Sequence, residues 1–488
     1  MTSWTDKMRG GLAWSMVGYG VSRLSTLITT IILARILVPA QFGLVAAVIV
    51  FLALIELGSD LGMNATVVYE QAHDKDHSRL DVAFTLNFIF AIMLAVAGFF
   101  LAPYIADLFE LGSHADLFRL APLSLVFTAF GNIHDALLLR EMDFRQRIRP
   151  MMVKSLVRST VSIVLAVLGF GAFSLVIGML AGSAAWSVAQ WRITSYRPRV
   201  SMDLTIARSM AAYGGAAAAL EVLAVVGARI DQVVVGRVLG PRDLGLYTIA
   251  YRIPETAIDT VSWTVSIVAF PGLAHLRASE ERELGSAALS VLRFQALYAL
   301  PLAGVLAVLA TPLVVVLFGA NWEPAGAVMS AVCVMSGLAA IVAPLGDVFK
   351  ALGRQRTLVT VGLLQFPVYI GLMIWAGPHG IVTVAWVRAG AQMLATVPIL
   401  TLVMRAAKVR ISQVLVALRP AFAGTIGVLI GAGAVRHLWP SLSIGPVAVG
   451  CLAGLAGGLL TLRVLAPGTI SDLRAQLPDR SRPGAIAG

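Results

Sequence analysis

Ala34-Arg35-Ile36-Leu37-Val38-Pro39-Ala40-Gln41-Phe42-Gly43-Leu44 returns 202 residues later as Gly236-Arg237-Val238-Leu239-Gly240-Pro241-Arg242-Asp243-Leu244-Gly245-Leu246. Arg, Leu, Pro, Gly and Leu fall in register. In each copy the proline can open a helix at a position that needs no amide donor. The glycine that follows permits tight packing at the helix start. Each copy lies between two apolar runs of about 20 residues, the length a helix needs to cross ~30 Å of hydrocarbon. The stretch therefore reads as a turn between two membrane spans, and the chain contains it twice.

Outward from these turns the same kind of run recurs. Candidate spans fall near 11–34, 43–66, 82–106, 117–139, 148–169, 172–195, 207–236, 241–270, 286–310, 324–349, 357–376, 380–404, 417–435 and 443–466. Of the 488 residues 58% are hydrophobic and 13% charged, and the mean hydropathy is +0.85. A soluble chain carries about 25% charged residues. A β-barrel would show alternating segments of ~10 residues, and none stand out. The expected fold is all-α, a polytopic membrane protein of about 14 helices. No room remains for a soluble catalytic domain.

Six spans separate the two turns. An even number keeps the same membrane orientation, so the halves are expected to be parallel repeats related by an axis along the membrane normal. Residues 1–200 (spans 1–6) and 201–410 (spans 7–12) would form two pseudo-symmetric lobes around a cleft. Residues 411–466 would add spans 13 and 14, and 467–488 would be a disordered cytoplasmic tail. A weaker echo pairs Asp135 and Phe144-Arg145-Gln146-Arg147 with Asp347 and Gly353-Arg354-Gln355-Arg356, at the cost of a gap.

The net charge of +11 invites a nucleic-acid partner, but its distribution argues otherwise. With the amino terminus in the cytoplasm, about 23 of the 37 Lys and Arg fall in cytoplasmic loops and tails, against about 5 on the far side. Among them are Lys75, Arg140, Arg145, Arg147, Arg197, Arg354 and Arg405. This is the positive-inside pattern. It orients the protein in a bacterial inner membrane with both termini cytoplasmic, and it excludes nucleic acid. The start of the chain shows no cleavable signal. Cys333 and Cys451 lie in apolar stretches and the seven histidines lack ligand spacing, so no metal or disulfide is expected.

Charges inside spans cost several kcal/mol unless they face a wet cavity or a partner. Here they fall on helical faces. Arg252, Glu255 and Asp259 share one stripe, Glu56 and Asp60 stand at i, i+4, and so do Lys154 and Arg158. Glu221, Arg229 and Asp231 share a span, Arg23 lies near the middle of the first, and Arg388 lies in the twelfth. The cations Arg23, Lys154, Arg158, Arg229, Arg252 and Arg388 suit a phosphate-bearing substrate in a central cavity. The acids Glu56, Asp60, Glu221, Asp231, Glu255 and Asp259 would keep that cavity from trapping its anion, or bind a coupling cation. Asp135 could instead simply bond the basic residues that follow it. No phosphate-binding loop, metalloprotease motif or large extracytoplasmic loop is present, so no enzyme is expected.

Gly10-Gly11-Leu12-Ala13-Trp14-Ser15, the Ala34–Gly43 turn and Ala136-Leu137-Leu138-Leu139-Arg140-Glu141-Met142-Asp143-Phe144 resemble the Wzx-type polysaccharide flippases, in particular the colanic-acid exporter-like group. These belong to the multidrug/oligosaccharidyl-lipid/polysaccharide exporter superfamily. The resemblance covers roughly residues 5–410. It implies a V-shaped, two-lobed transporter that alternates access. Its substrate would be an undecaprenyl-diphosphate-linked repeat unit, flipped to the periplasmic leaflet for exopolysaccharide, capsule or O-antigen synthesis. Implied partners are membrane lipid, a polysaccharide polymerase and chain-length proteins. No cofactor is implied, and coupling would run on H+, Na+ or the membrane potential. A lipid II flippase, a cation-coupled multidrug antiporter and an integral enzyme of lipid-linked glycan assembly are the alternatives.

Overall fold

Helices account for every regular element among the residues that the computed structural model describes, 4–56, 78–141, 143–262, 265, 281–351, 355–406 and 409–465. Among them ten helices are long and apolar enough to cross a membrane, and they coincide with ten of the expected runs. The chain is an all-helical, multi-pass membrane protein. The runs at 11–34, 207–236 and 241–270 are helical where described, and part of each lies outside the described side chains. The first carries Arg23 amid a ladder of Ser and Thr; the other two carry Arg229, Asp231, Arg252, Glu255 and Asp259. The run at 324–349 is apolar over Ala325–Ile341.

Residues 1–256 and 366–387 form one compact unit. It contains α1 (Trp4–Ile36), α2 (Pro39–Glu56), α3 (Ser78–Leu108), α4 (Leu123–Arg140), α5 (Phe144–Val167), α6 (Ala172–Ile193) and α7 (Leu204–Ala250). Two of these begin on aspartate caps, which satisfy amides the helix leaves open. Asp143 accepts from the Gln146 amide at 3.0 Å at the start of α5. Asp203 accepts from Thr205 and Ile206 at 2.8 and 3.2 Å at the start of α7.

The two sequence turns meet in this unit. α7 breaks at Gly240, whose φ of 83° is a left-handed conformation open to glycine, and Pro241 restarts the helix. The chain folds back there. Tyr247 and Tyr251 reach Asp231 at 2.7 and 3.3 Å, although sixteen residues of straight helix would span about 24 Å. A Cβ on Gly43 would strike the carbonyl oxygen of Pro241, and one on Gly245 would strike that of Pro39. The contact is reciprocal, as a local two-fold relation requires, and it sets the two turns at one depth.

Residues 257–365 and 388–488 form a second compact unit. Here α8 (Glu281–Val308) packs on α10 (Ala325–Ala351) and α13 (Ile411–Leu438). Leu292, Ala296, Val414 and Ala421 form part of the core. The short α9 (Ala310–Phe318) precedes α10, while α11 (Gln355–Ala376) and α12 (Ile381–Ala406) each run from one unit into the other. α13 and α14 (Ile444–Leu465) cross with Gly427 and Gly457 in contact. Many large apolar side chains point outward, such as Phe100 and Tyr104 on α3 and Leu452 and Leu460 on α14. In water such patches would be binding surfaces; in a bilayer they meet lipid, which is as apolar as they are.

Candidate functional site

α1 and α5 face each other with hydroxyls. Ser22, Ser25, Thr26 and Thr29 recur along one side of α1, and Ser155, Ser159 and Ser162 along one side of α5, at the spacing that stacks residues on a helix face. Ser155 donates to Ser25 at 3.1 Å and Thr29 to Ser159 at 2.6 Å. Around this seam lies a cavity of ≈ 310 Å³ lined by residues of α1, α4, α5 and α6.

α5 supplies its charge. Arg147, Lys154 and Arg158 all line the cavity, spaced so that they climb one stripe of the helix. Arg147 is engaged: its Nε and Nη2 donate to the two Asp135 oxygens at 2.9 and 2.8 Å. Gln190 of α6 donates to the same carboxylate at 3.0 Å. Lys154 lies 5.4 Å from the centre of the Trp186 ring, a cation–π contact that holds the ammonium without neutralising it. Arg158 has no hydrogen bond or ion pair among the described residues. Two glycines of α6 bring this stripe close: a Cβ on Gly178 would press on Ser162, and one on Gly182 on Arg158 and the Lys154 carbonyl.

A second group of charges gathers nearby in the same unit. Arg23 of α1 donates to Glu255, which opens a π-helical turn over Glu255–Asp259. Arg252 stands 3.7 Å from the other oxygen of Glu255. The charges of Arg23, Arg158 and Arg229 all bear on Arg252, and those of Lys154 and Arg229 bear on Glu56. Arg229 also donates to Gln232 at 3.2 Å.

Five of the six sequence-chosen cations thus gather in one unit, with Glu56 and Glu255 among them. Asp231 is placed otherwise, fully buried and held by the tyrosine pair. Arg388 and Asp259 belong to the second unit, where Arg388 donates to the Met335 sulfur at 3.3 Å. Asp60 and the Glu221 side chain lie outside the described residues. The bond between Asp135 and the basic run after it is present. The seam hydroxyls, Trp186 and Gln190 escaped the charge-based search, although the Ser155, Ser159, Ser162 spacing was there to be read. No group of His, Cys, Asp and Glu fit to hold a metal occurs among the described residues.

A family model described as polysaccharide biosynthesis protein matches residues 32–327. The chain belongs to that family. This polysaccharide biosynthesis protein is 25% identical over 371 residues to the succinoglycan biosynthesis transport protein ExoT of Rhizobium meliloti, covering 76% of this chain and 74% of the relative. It is 24% identical over 356 residues to the lipopolysaccharide biosynthesis protein WzxC of Escherichia coli, covering 72% and 71%. The resemblance to Wzx-type proteins carried by its motifs is borne out. Among solved structures its fold matches the lipid II flippase MurJ in an inward closed conformation, with a TM-score of 0.77 at 14% identity over 93% of this chain and 99% of that one. At that identity the likeness speaks to the fold alone.

Proposed function

We propose that this polysaccharide biosynthesis protein is a flippase. It carries an oligosaccharide repeat unit on a polyprenyl diphosphate from the cytoplasmic to the outer leaflet of a bacterial inner membrane. The observation that carries the proposal is the α5 stripe, where Lys154 and Arg158 face a hydroxyl-lined cavity and neither has a carboxylate partner among the described residues. They stand one turn apart, about 6 Å along the axis, a spacing that a diphosphate bridges. Arginine supplies a planar donor fork to phosphate oxygens, and the seam hydroxyls can serve sugar hydroxyls in either sense. Arg23 and Arg252, shared with Glu255, add positive potential. The relatives' names, a succinoglycan transport protein and a lipopolysaccharide biosynthesis protein, support the same substrate class. In this reading the protein moves its substrate without changing it. It needs no cofactor, couples to H+, Na+ or the membrane potential, works beside a polymerase and chain-length proteins, and keeps both termini in the cytoplasm.

The test is expression in bacteria that lack their own exopolysaccharide flippase. The wild-type chain should restore polymer at the cell surface. Arg158→Ala should not, at an equal level in the membrane, and Arg158→Lys should restore it in part, because it keeps the charge without the fork. Rescue of cells depleted of their lipid II flippase, without rescue of polymer, would overturn the assignment. So would full export by Arg158→Ala.

A further inference from the structure

The α5 stripe has three cations, and only the outermost is neutralised. Arg147 gives both faces of its fork to Asp135 at 2.9 and 2.8 Å, the bidentate geometry that a substrate carboxylate or phosphate would use. Gln190 of α6 donates to the same Asp135 oxygen that accepts from Arg147 Nε, so the carboxylate has a second anchor besides its partner. The pair is not sealed in the core: 32% of the Arg147 side chain and 23% of Asp135 remain accessible, and both line the cavity. Lys154 and Arg158, about two and three turns deeper, have no ion pair among the described residues, although the carboxylates of Glu56 and Asp135 bear on Lys154 from a longer distance. The cavity is therefore more cationic at the end of Lys154 and Arg158 than at the end of Arg147, whose charge a bidentate carboxylate matches.

We propose that Asp135 is a specificity-determining residue: by holding Arg147 it makes the outer end of the cavity a place for a neutral sugar, with the substrate's negative charge confined to Lys154 and Arg158. This rests on the flippase reading of the same cavity. Arg147 lies seven residues from Lys154, about 10 Å along α5. A diphosphate on Lys154 and Arg158 is too short to reach it, but the first sugar beyond the diphosphate is not. An acidic sugar at that place would give up its hydration and find the Arg147 fork already filled by a carboxylate of its own sign, which disfavours it. A neutral sugar meets no such conflict. A chain with Arg147 and no carboxylate at 135 would instead welcome the acid.

The experiment measures equilibrium binding to the purified full-length protein. The two probes are glucose and glucuronic acid, each linked through diphosphate to a ten-carbon polyprenyl chain. Wild type should prefer the glucose probe by about tenfold, equivalent to about 1.4 kcal/mol. Asp135→Asn frees Arg147 and should bring the two affinities to within about threefold, by tightening the glucuronic acid probe. Arg147→Gln leaves Asp135 unbalanced and should widen the preference beyond that of wild type. The double variant, an amide facing an amide, should return it to near the wild-type ratio. A ratio that stays unchanged in both single variants, or variants that weaken both probes equally, overturns the proposal and leaves the flippase reading intact. If Asp135→Asn fails to fold, an unmoved ratio in Arg147→Gln is enough to overturn it. Failure of wild type to bind either probe overturns the flippase reading itself, and this inference with it.

Discussion

Arg158 costs the fold more than it returns to it. A guanidinium at membrane depth carries a penalty of about 2.5–3.5 kcal/mol on insertion scales, and no carboxylate among the described residues offsets it. Replacing it by an apolar side chain of similar length should therefore stabilise the protein while ending transport, the trade expected of a functional charge. Arg158→Met is predicted to raise stability by about 1–3 kcal/mol, read as a higher midpoint of thermal unfolding in detergent, with export lost. Arg147→Met is predicted to do the opposite and lower the midpoint, because it strands Asp135. Equal losses of stability in the two variants would show Arg158 to be a structural residue. The contrast between these arginines was only half legible in the sequence. The i, i+4 spacing of Lys154 and Arg158 placed both on one face, and Asp135 could be matched to the basic run twelve residues on. That Asp231 rests on two tyrosine hydroxyls was not legible. Its partners lie 16 and 20 residues away, within reach only because the chain folds back at Gly240.

The connection between α6 and α7 has no regular structure, yet it is fastened along its length. Tyr196 donates to Asp81 of α3, and the Arg199 amide donates to the same oxygen at 2.9 Å. The Ser201 amide donates to Thr85 at 3.1 Å, and just before the connection, near the end of α6, Trp191 donates to the Phe130 carbonyl of α4 at 2.6 Å. Burial and the Asp81 carboxylate together push the Tyr196 phenol well above its ordinary range. The folded protein therefore holds this proton more tightly than the unfolded chain, whose tyrosines titrate near pH 10. Its contribution to stability is complete below that pH and falls as pH rises above it, toward the folded value. Tyr196→Phe should remove this alkaline loss and cost about 1 kcal/mol at neutral pH through the missing hydrogen bond. Stability curves of wild type and variant between about pH 8 and pH 11 should converge; curves that stay parallel would show that the phenol ionises freely. The helices on either side could be read from apolar run lengths and their caps from Asp143 and Asp203. The fastening could not, because its anchors lie more than a hundred residues away, at sequence separations of 115 to 118, and carry no periodic signal.

At the scale of the molecule, ten spans announce themselves by apolarity among the described residues. Sidedness is fixed by a different quantity, the placement of Lys and Arg. The crossing at Gly43 and Gly245 adds a constraint, since reciprocal contact puts the two turns at one depth. Both turns should then open to the same side, opposite the basic loop near residue 145. Cys333 and Cys451 are the two cysteines of the chain, so a cysteine-free background needs two substitutions. In that background Ala40→Cys and Arg242→Cys should both react with a membrane-impermeant maleimide added to intact cells stripped of their outer wall. Arg145→Cys should react only after lysis. Labelling of position 145 from outside would invert the map, and with it the direction of flipping, because the cavity's Arg147 lies beside that loop. If positions 40 and 242 label from opposite faces, the two turns cannot touch, and the repeat that organises the chain fails. The positive-inside count predicts one arrangement, with 40 and 242 outside and 145 in the cytoplasm, and in that arrangement a lipid-linked sugar assembled on the inner leaflet would first meet Arg147 and then Lys154.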